Sequence, residues 1–159
     1  MKGPNALNWI LASSLSLLVC LTGSSQAEPA KARLGRQAWI AFECATYARL
    51  SGQSNEETRL SDLGVESSRA FVDAYFSNQI TEQEASTEIP FGVMDVLFGS
   101  PSNDKNFIAG RLFESATSYA RDRVMKRRFR PFNEWIADPS LTKSIAEDRF
   151  RTANCALVR

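Results

Sequence analysis

The stretch from Ala38 to Leu50 constrains the fold more than any other part of the chain. Placed on a helix at about 100° per residue, its apolar side chains point in nearly every direction. Only Glu43, Thr46 and Arg49, spaced by threes, form a narrow polar stripe. A helix that is apolar nearly all round is typical of the centre of a bundle, where other helices cover it. We therefore expect the rest of the chain to pack around this stretch.

The remaining sequence predicts further helices and no strands. Apolar residues recur at helical spacing, and glycine or proline residues lie at the breaks. Helices are expected over about 34–50, 55–77, 81–89, 90–98, 103–128 and 138–153. No stretch shows the alternation and β-branched enrichment typical of a strand. The sequence thus predicts a single-domain, all-α helical bundle of four to six helices.

Several helix ends are marked by residue types. The stretches Ser54 to Glu57 and Thr81 to Glu84 have the spacing of a capping box, in which side chains and backbone amides bond reciprocally. Gly52 suits the left-handed backbone at which many helices stop. Either Ser100 or Ser102 is expected to cap the long helix that follows them.

Aromatic residues at helical spacing are expected to form the core rather than a ligand site. They are Trp39, Tyr47, Phe71, Tyr75, Phe76, Phe113 and Tyr119. Residues 90–98 form a further compact apolar segment.

Residues 1–27 have the features of a cleaved secretory signal peptide. Lys2 supplies a basic start, and residues 6–21 form a mostly apolar run. The two positions before the cleavage site that must be small are Ser25 and Ala27. A membrane-spanning helix needs roughly 20 apolar residues without the polar interruptions present in this run. We predict cleavage after Ala27, which leaves residues 28–159 as a helical domain without a transmembrane segment.

Cys20 raises the alternative of a lipid-anchored N-terminus. The residue before it is Val19, whereas bacterial lipoprotein signals carry a small residue there, so ordinary cleavage is favoured. The sequence contains no Asn-x-Ser/Thr acceptor for glycosylation. A periplasmic or secreted location is therefore expected.

Cys44 and Cys155 are the two cysteines that follow the predicted signal. Cysteines in an oxidising compartment most often pair, and neither lies in a Cys-x-x-Cys motif. The chain has no histidine to complete a zinc site. We predict a disulfide that closes a loop of about 110 residues, which on the chain-entropy model stabilises by roughly 4 to 5 kcal/mol.

The absence of histidine also removes the commonest general base and the standard nucleophilic triads. No pattern suggests a metal or another cofactor. Carboxylates remain, and Glu43 with Glu114 are the weak candidates for paired acid and base chemistry, for instance on envelope glycan. The alternative is that Glu43 faces solvent or pairs with an arginine such as Arg111.

A cationic run covers the end of the predicted long helix, and its basic residues are Arg121, Arg123, Lys126, Arg127, Arg128 and Arg130. The part from Arg123 to Arg130 is the candidate partner-binding segment. Phe129 and Phe132 are interleaved with it or adjacent to it. Such a run suits an acidic protein face or an anionic envelope component such as lipid headgroups. Nucleic acid is not expected as a partner of an exported protein.

The alternative interpretation is internal charge balance. Residues 54–95 contain nine acids and two bases, whereas residues 105–130 contain eight bases and two acids. These two segments are complementary enough to neutralise each other within one fold. Cations near the end of a helix also suit its negative pole.

Together these features favour an exported, non-enzymatic helical protein that binds a macromolecular partner in the cell envelope, in an inhibitor, immunity-like or accessory role. Two alternatives stay open. One is a carboxylate-dependent hydrolase acting on envelope glycan, and the other is a peripheral protein that binds anionic lipid through the cationic run.

Overall fold

The computed structural model of this chain describes residues 31–125 and 139–159. These two ranges contain six α-helices and no strand. The helices are α1 (Lys31–Ser51), α2 (Ser54–Phe76), α3 (Glu82–Glu88), α4 (Phe91–Phe98), α5 (Lys105–Val124) and α6 (Pro139–Thr152), and a short 3-10 turn (Cys155–Leu157) follows. The prediction of an all-α bundle is confirmed.

Helix α1 is the centre of the bundle, as its apolar pattern predicts. It contacts each of the other five helices. Phe42 and Tyr47 are among its fully buried side chains. Thr46, from the expected polar stripe, is also buried, and its hydroxyl donates to the Phe42 carbonyl oxygen at 2.9 Å. The polar stripe therefore does not run continuously along the surface.

Two apolar clusters line opposite halves of α1. One surrounds its first half and includes Phe71, Val93 and Leu112, from α2, α4 and α5. The other surrounds its second half and includes Val124 and Phe150, from α5 and α6. Helices α3 and α4 thus belong to the first end of the bundle, and α6 belongs to the second.

The predicted disulfide between Cys44 and Cys155 is present and joins the C-terminal tail to α1. The two Cα atoms are 5.4 Å apart, and both residues are buried. Arg59 on α2 adds a polar clamp, since its guanidinium donates to the Val158 carbonyl at 2.7 Å while pairing with Glu56. The tail is therefore fixed to both α1 and α2.

The capping box at Thr81 and the stop at Gly52 are confirmed. The Thr81 hydroxyl accepts from the Glu84 amide at 3.2 Å, and the Glu84 carboxylate accepts from the Thr81 amide at 2.9 Å. The hydrogen bonds that the Glu84 carboxylate accepts from the Thr81 amide and from the Thr81 hydroxyl hold the pKa of Glu84 below its ordinary value. Gly52 has a φ of +83°, the left-handed conformation that glycine adopts without strain.

Two other cap predictions are wrong. Gln53 precedes the first residue of α2, and no side chain caps that helix, so Ser54 does not form the expected box. Asp104 caps α5 in place of Ser100 or Ser102, because its carboxylate accepts from the amides of two following residues at 3.0 and 2.8 Å.

The aromatic core prediction is confirmed for some residues and wrong for others. Tyr47 and Phe71 are buried, whereas Phe76, Phe113 and Tyr119 are each at least two-fifths exposed. Within the two described ranges, the structure contains no helix with both the length and the apolar character needed to cross a bilayer.

Candidate functional site

Helix α4 is apolar on two faces, and only one of them is covered. Val93, Val96 and Leu97 point into the core and are buried. Phe91 and Phe98, seven residues apart, lie on the opposite side and are 84% and 74% exposed. At helical pitch the two rings are about 20° apart around the axis, so they form one continuous exposed stripe.

This stripe forms one wall of a groove with a volume of about 870 Å³. Met94 and Asp95 complete the α4 wall. The facing wall is formed by α3 and the residue that follows it, with side chains at helical spacing: Glu82, Ala85, Ser86 and Ile89. Two of these four side chains, Ala85 and Ser86, are small, and the two rings opposite them stay exposed.

Helix α3 has only seven residues and none of them is buried, so polar contacts add to the packing of Ala85 and Ile89 on the core in holding the wall in place. The capping box fixes its first turn. At its other end, Arg36 of α1 donates to the carbonyl oxygens of Glu88 and Thr87 at 3.1 and 3.3 Å. Arg33 and Arg36 also lie 3.5 and 3.6 Å from the Glu88 carboxylate. Cations at this end suit the negative pole of the helix.

Helix α4 is positioned by contacts at both of its ends. A Cβ atom added at Gly92 would lie 2.7 Å from the Trp39 ring, so the absence of a side chain there lets α4 approach α1 closely. At the other end, the Arg111 guanidinium donates to the carbonyl oxygen of Gly99, which lines the groove. Contacts with α1 and α5 therefore hold α4 in place, and the face that bears Phe91 and Phe98 stays exposed.

Two acidic side chains lie in the groove without a partner. Glu82 and Asp95 are exposed, and neither carboxylate makes an ion pair or a hydrogen bond in the described part of the chain. Among the described residues that line this groove, none is basic. The groove thus combines exposed apolar side chains with a negative charge on each of its two walls.

Glu43, the first candidate acid, lies in a different place, where α1 meets α5. Its carboxylate accepts from the Trp39 indole nitrogen at 2.7 Å. Burial raises the pKa of Glu43, while the Trp39 hydrogen bond and the positive charge of Arg123 act in the opposite direction. The suggested partner Arg111 is not found here, because its guanidinium binds Gly99 and Ser100.

Arg123 joins an aromatic cluster at this position. Its guanidinium carbon lies 5.3 Å from the centre of the Tyr119 ring, and one of its nitrogens donates to the Tyr119 hydroxyl at 3.3 Å. The Tyr119 ring is in turn 6.1 Å from that of Trp39. Burial, with the charge of Glu43 second, raises the pKa of the nearby Tyr47 hydroxyl. Glu43 and Arg123 therefore belong to one cluster of packed side chains between α1 and α5.

Glu114, the second candidate acid, is exposed on α5. It is five residues from Tyr119, so the two side chains point about 140° apart around the helix axis. Since Tyr119 faces the Glu43 cluster, the structure does not bring the two candidate carboxylates together. In the described residues there is also no group of three or more acidic or cysteine side chains suited to a metal ion.

The predicted partner-binding segment is described only at its start. Arg123 is exposed and takes part in the cluster above. The other members lie outside the described residues, and their role stays a prediction: Lys126, Arg127, Arg128 and Arg130.

The sequence interpretation missed Phe91 and Phe98 as surface residues. The available signal was the composition of α4, since seven of its eight residues are non-polar and such a helix has more apolar surface than one contact covers.

Comparisons with protein family models, with curated proteins and with solved structures find no match for this chain.

Proposed function

We propose that this protein is an exported, non-enzymatic binding protein, and that its partner in the cell envelope docks in the groove between α3 and α4. The single observation that carries the proposal is the exposure of Phe91 and Phe98 on one face of α4. Isolated exposed apolar residues are common, but two exposed rings joined along one groove are typical of interaction sites.

The energetic argument follows from the surface left in water. Full burial of a phenylalanine side chain is worth about 1.5–3 kcal/mol. A partner that covers both rings gains roughly twice that amount, before the costs of association are subtracted. Aromatic anchors of this kind dominate many protein interfaces.

Two further observations support the proposal. The Cys44–Cys155 disulfide is a type of bond that persists in oxidising compartments, which agrees with the predicted signal peptide. Of the two carboxylates considered for catalysis, Glu43 accepts a hydrogen bond from Trp39, and Glu114 points away from the cluster that contains Glu43. A role as an inhibitor, immunity-type or accessory protein is consistent with these features.

The test is co-purification from the native cell envelope with crosslinking and identification of the captured protein. We expect the double variant Phe91→Ser/Phe98→Ser to lose that protein. Because both side chains are exposed, the variant should keep the helical circular dichroism spectrum of the wild type.

The matched control is Leu157→Ser, which changes a side chain of similar exposure (69%) in the C-terminal turn. It should retain the captured protein. If the phenylalanine double variant folds and retains it equally well, the groove is not the docking site and the proposal is wrong.

A further inference from the structure

We infer that the occupant of the groove is a cationic amphipathic helix of the partner protein, an inference that rests on the proposed function. Its apolar side chains would lie on Phe91, Met94 and Phe98. Its lysine or arginine residues would face Glu82 and Asp95 on the two walls.

The spacing of the apolar side chains fits a helical occupant. Phe91 and Phe98 are two turns apart, which is about 10 Å along the axis, and Met94 lies between them. This length matches the i, i+3/i+4, i+7 anchors of an amphipathic helix that binds in a groove. Methionine adapts to different partner side chains because it is unbranched and flexible.

The charges in the groove indicate that the partner is positively charged. The other acids near this end of the bundle are engaged: Asp73 pairs with Lys105 at 2.8 Å, Glu88 with Arg33 and Arg36, and Glu84 with its helix cap. Glu82 and Asp95 differ from these acids, because no described residue pairs with them. An anionic peptide or an anionic lipid surface would meet the unpaired negative charges of Glu82 and Asp95 in the groove, whereas a cationic helix is attracted to them.

The experiment uses two synthetic 14-residue peptides with leucine at the anchor positions, one with lysine and one with glutamate elsewhere. Binding to the full domain is measured by fluorescence anisotropy at low and high salt. We expect the lysine peptide to bind at least tenfold more tightly than the glutamate peptide. The Phe91→Ser/Phe98→Ser variant should weaken its binding by at least tenfold.

The charge contribution is tested by Glu82→Gln/Asp95→Asn. Each exposed pair contributes about a two- to fivefold change in affinity, so the double variant should weaken binding by roughly four- to twenty-fivefold and reduce its salt dependence. The control is Asp62→Asn/Glu147→Gln, which removes the same charge from α2 and α6. It should change affinity less than twofold.

Several outcomes would overturn the inference. Equal binding of both peptides, or equal effects of the two charge variants, would show that the groove does not select a cation. Failure of both peptides to bind would also overturn it. In each case the proposed function stands if Phe91→Ser/Phe98→Ser still abolishes co-purification of the native partner, and it falls if co-purification is unaffected.

Two other occupants are distinguished directly. Analytical ultracentrifugation that shows a dimer, lost in Phe91→Ser/Phe98→Ser, would assign the groove to a second copy of this chain. Flotation with phosphatidylcholine vesicles, lost in the same variant, would assign it to a membrane. Either result overturns the cationic helix.

Discussion

The contact between α1 and α2 leads to a sharp prediction about two glycines. Gly64 in α2 lies directly against the Phe42 ring, and a Cβ atom built at Gly64 would overlap the edge of that ring. Gly110 in α5 also lies inside a helix, but it has no neighbour within 4 Å of the position where a Cβ would stand. The same substitution by alanine should therefore have opposite effects at the two positions.

The magnitudes follow from helix propensity and packing. Alanine is favoured over glycine inside a helix by about 0.8–1 kcal/mol, so Gly110→Ala should stabilise the protein by roughly that amount. At Gly64 the same gain is opposed by overpacking, which typically costs about 1–3 kcal/mol. Phe42 is fully buried and packs edge-on against Phe113 with ring centres 5.3 Å apart, so it has little room to move.

Because the built Cβ overlaps the Phe42 ring, we place the overpacking cost in the upper part of its range, at about 2–3 kcal/mol. Gly64→Ala should then lower the free energy of unfolding by about 1–2 kcal/mol, which leaves a gap of roughly 2–3 kcal/mol between the two variants. Urea denaturation of the disulfide-bonded protein, followed by circular dichroism, measures both values. A Gly64→Ala variant as stable as Gly110→Ala would refute the close packing of α2 on Phe42.

Three further predictions concern the Cys44–Cys155 disulfide, the partly buried carboxylate of Glu43 and the Asp104 cap of α5. Replacing Cys44 and Cys155 by alanine opens a link across 111 residues and should cost about 4–5 kcal/mol in urea denaturation, and an unchanged midpoint would contradict this. The raised pKa of Glu43 means that the folded state holds its proton more tightly than the unfolded state, so its contribution to stability falls as the pH rises above the ordinary carboxyl range. Glu43→Gln keeps an acceptor for Trp39 and should be more stable than the wild type at pH 7, with a difference that shrinks on acidification; a pH-independent difference in melting temperature would count against it. Asp104→Ala should destabilise by about 1 kcal/mol, more than Ser102→Ala does, because it removes the acceptor of two amides at the start of α5.

Local chemistry explains which parts of the fold could be predicted. The capping box at Thr81 and the glycine stop at Gly52 depend on residues within one turn, so their spacing is sufficient. The boxes or caps proposed for Ser54, Ser100 and Ser102 were wrong because several residues near a helix start can cap it, and packing of the helix decides where it begins.

The candidate site was less predictable than the fold. The sequence marked Glu43 as an unusual carboxylate, but its hydrogen bond to Trp39 and its proximity to Arg123 depend on how α1 and α5 pack. Glu114 was a candidate partner for Glu43 only while the direction of each side chain was unknown. The basic segment from Lys126 onward lies outside the described residues and stays a prediction.

The sequence by itself determined that the protein is helical, that its most apolar helix is central and that Cys44 pairs with Cys155. These properties follow from the periodicity of single segments and from the small number of cysteines. Only the tertiary structure decided that one face of α4 is buried and that the face bearing Phe91 and Phe98 is bare. The reason is that burial depends on which distant segments cover a surface, and the pattern within one short helix does not contain that information.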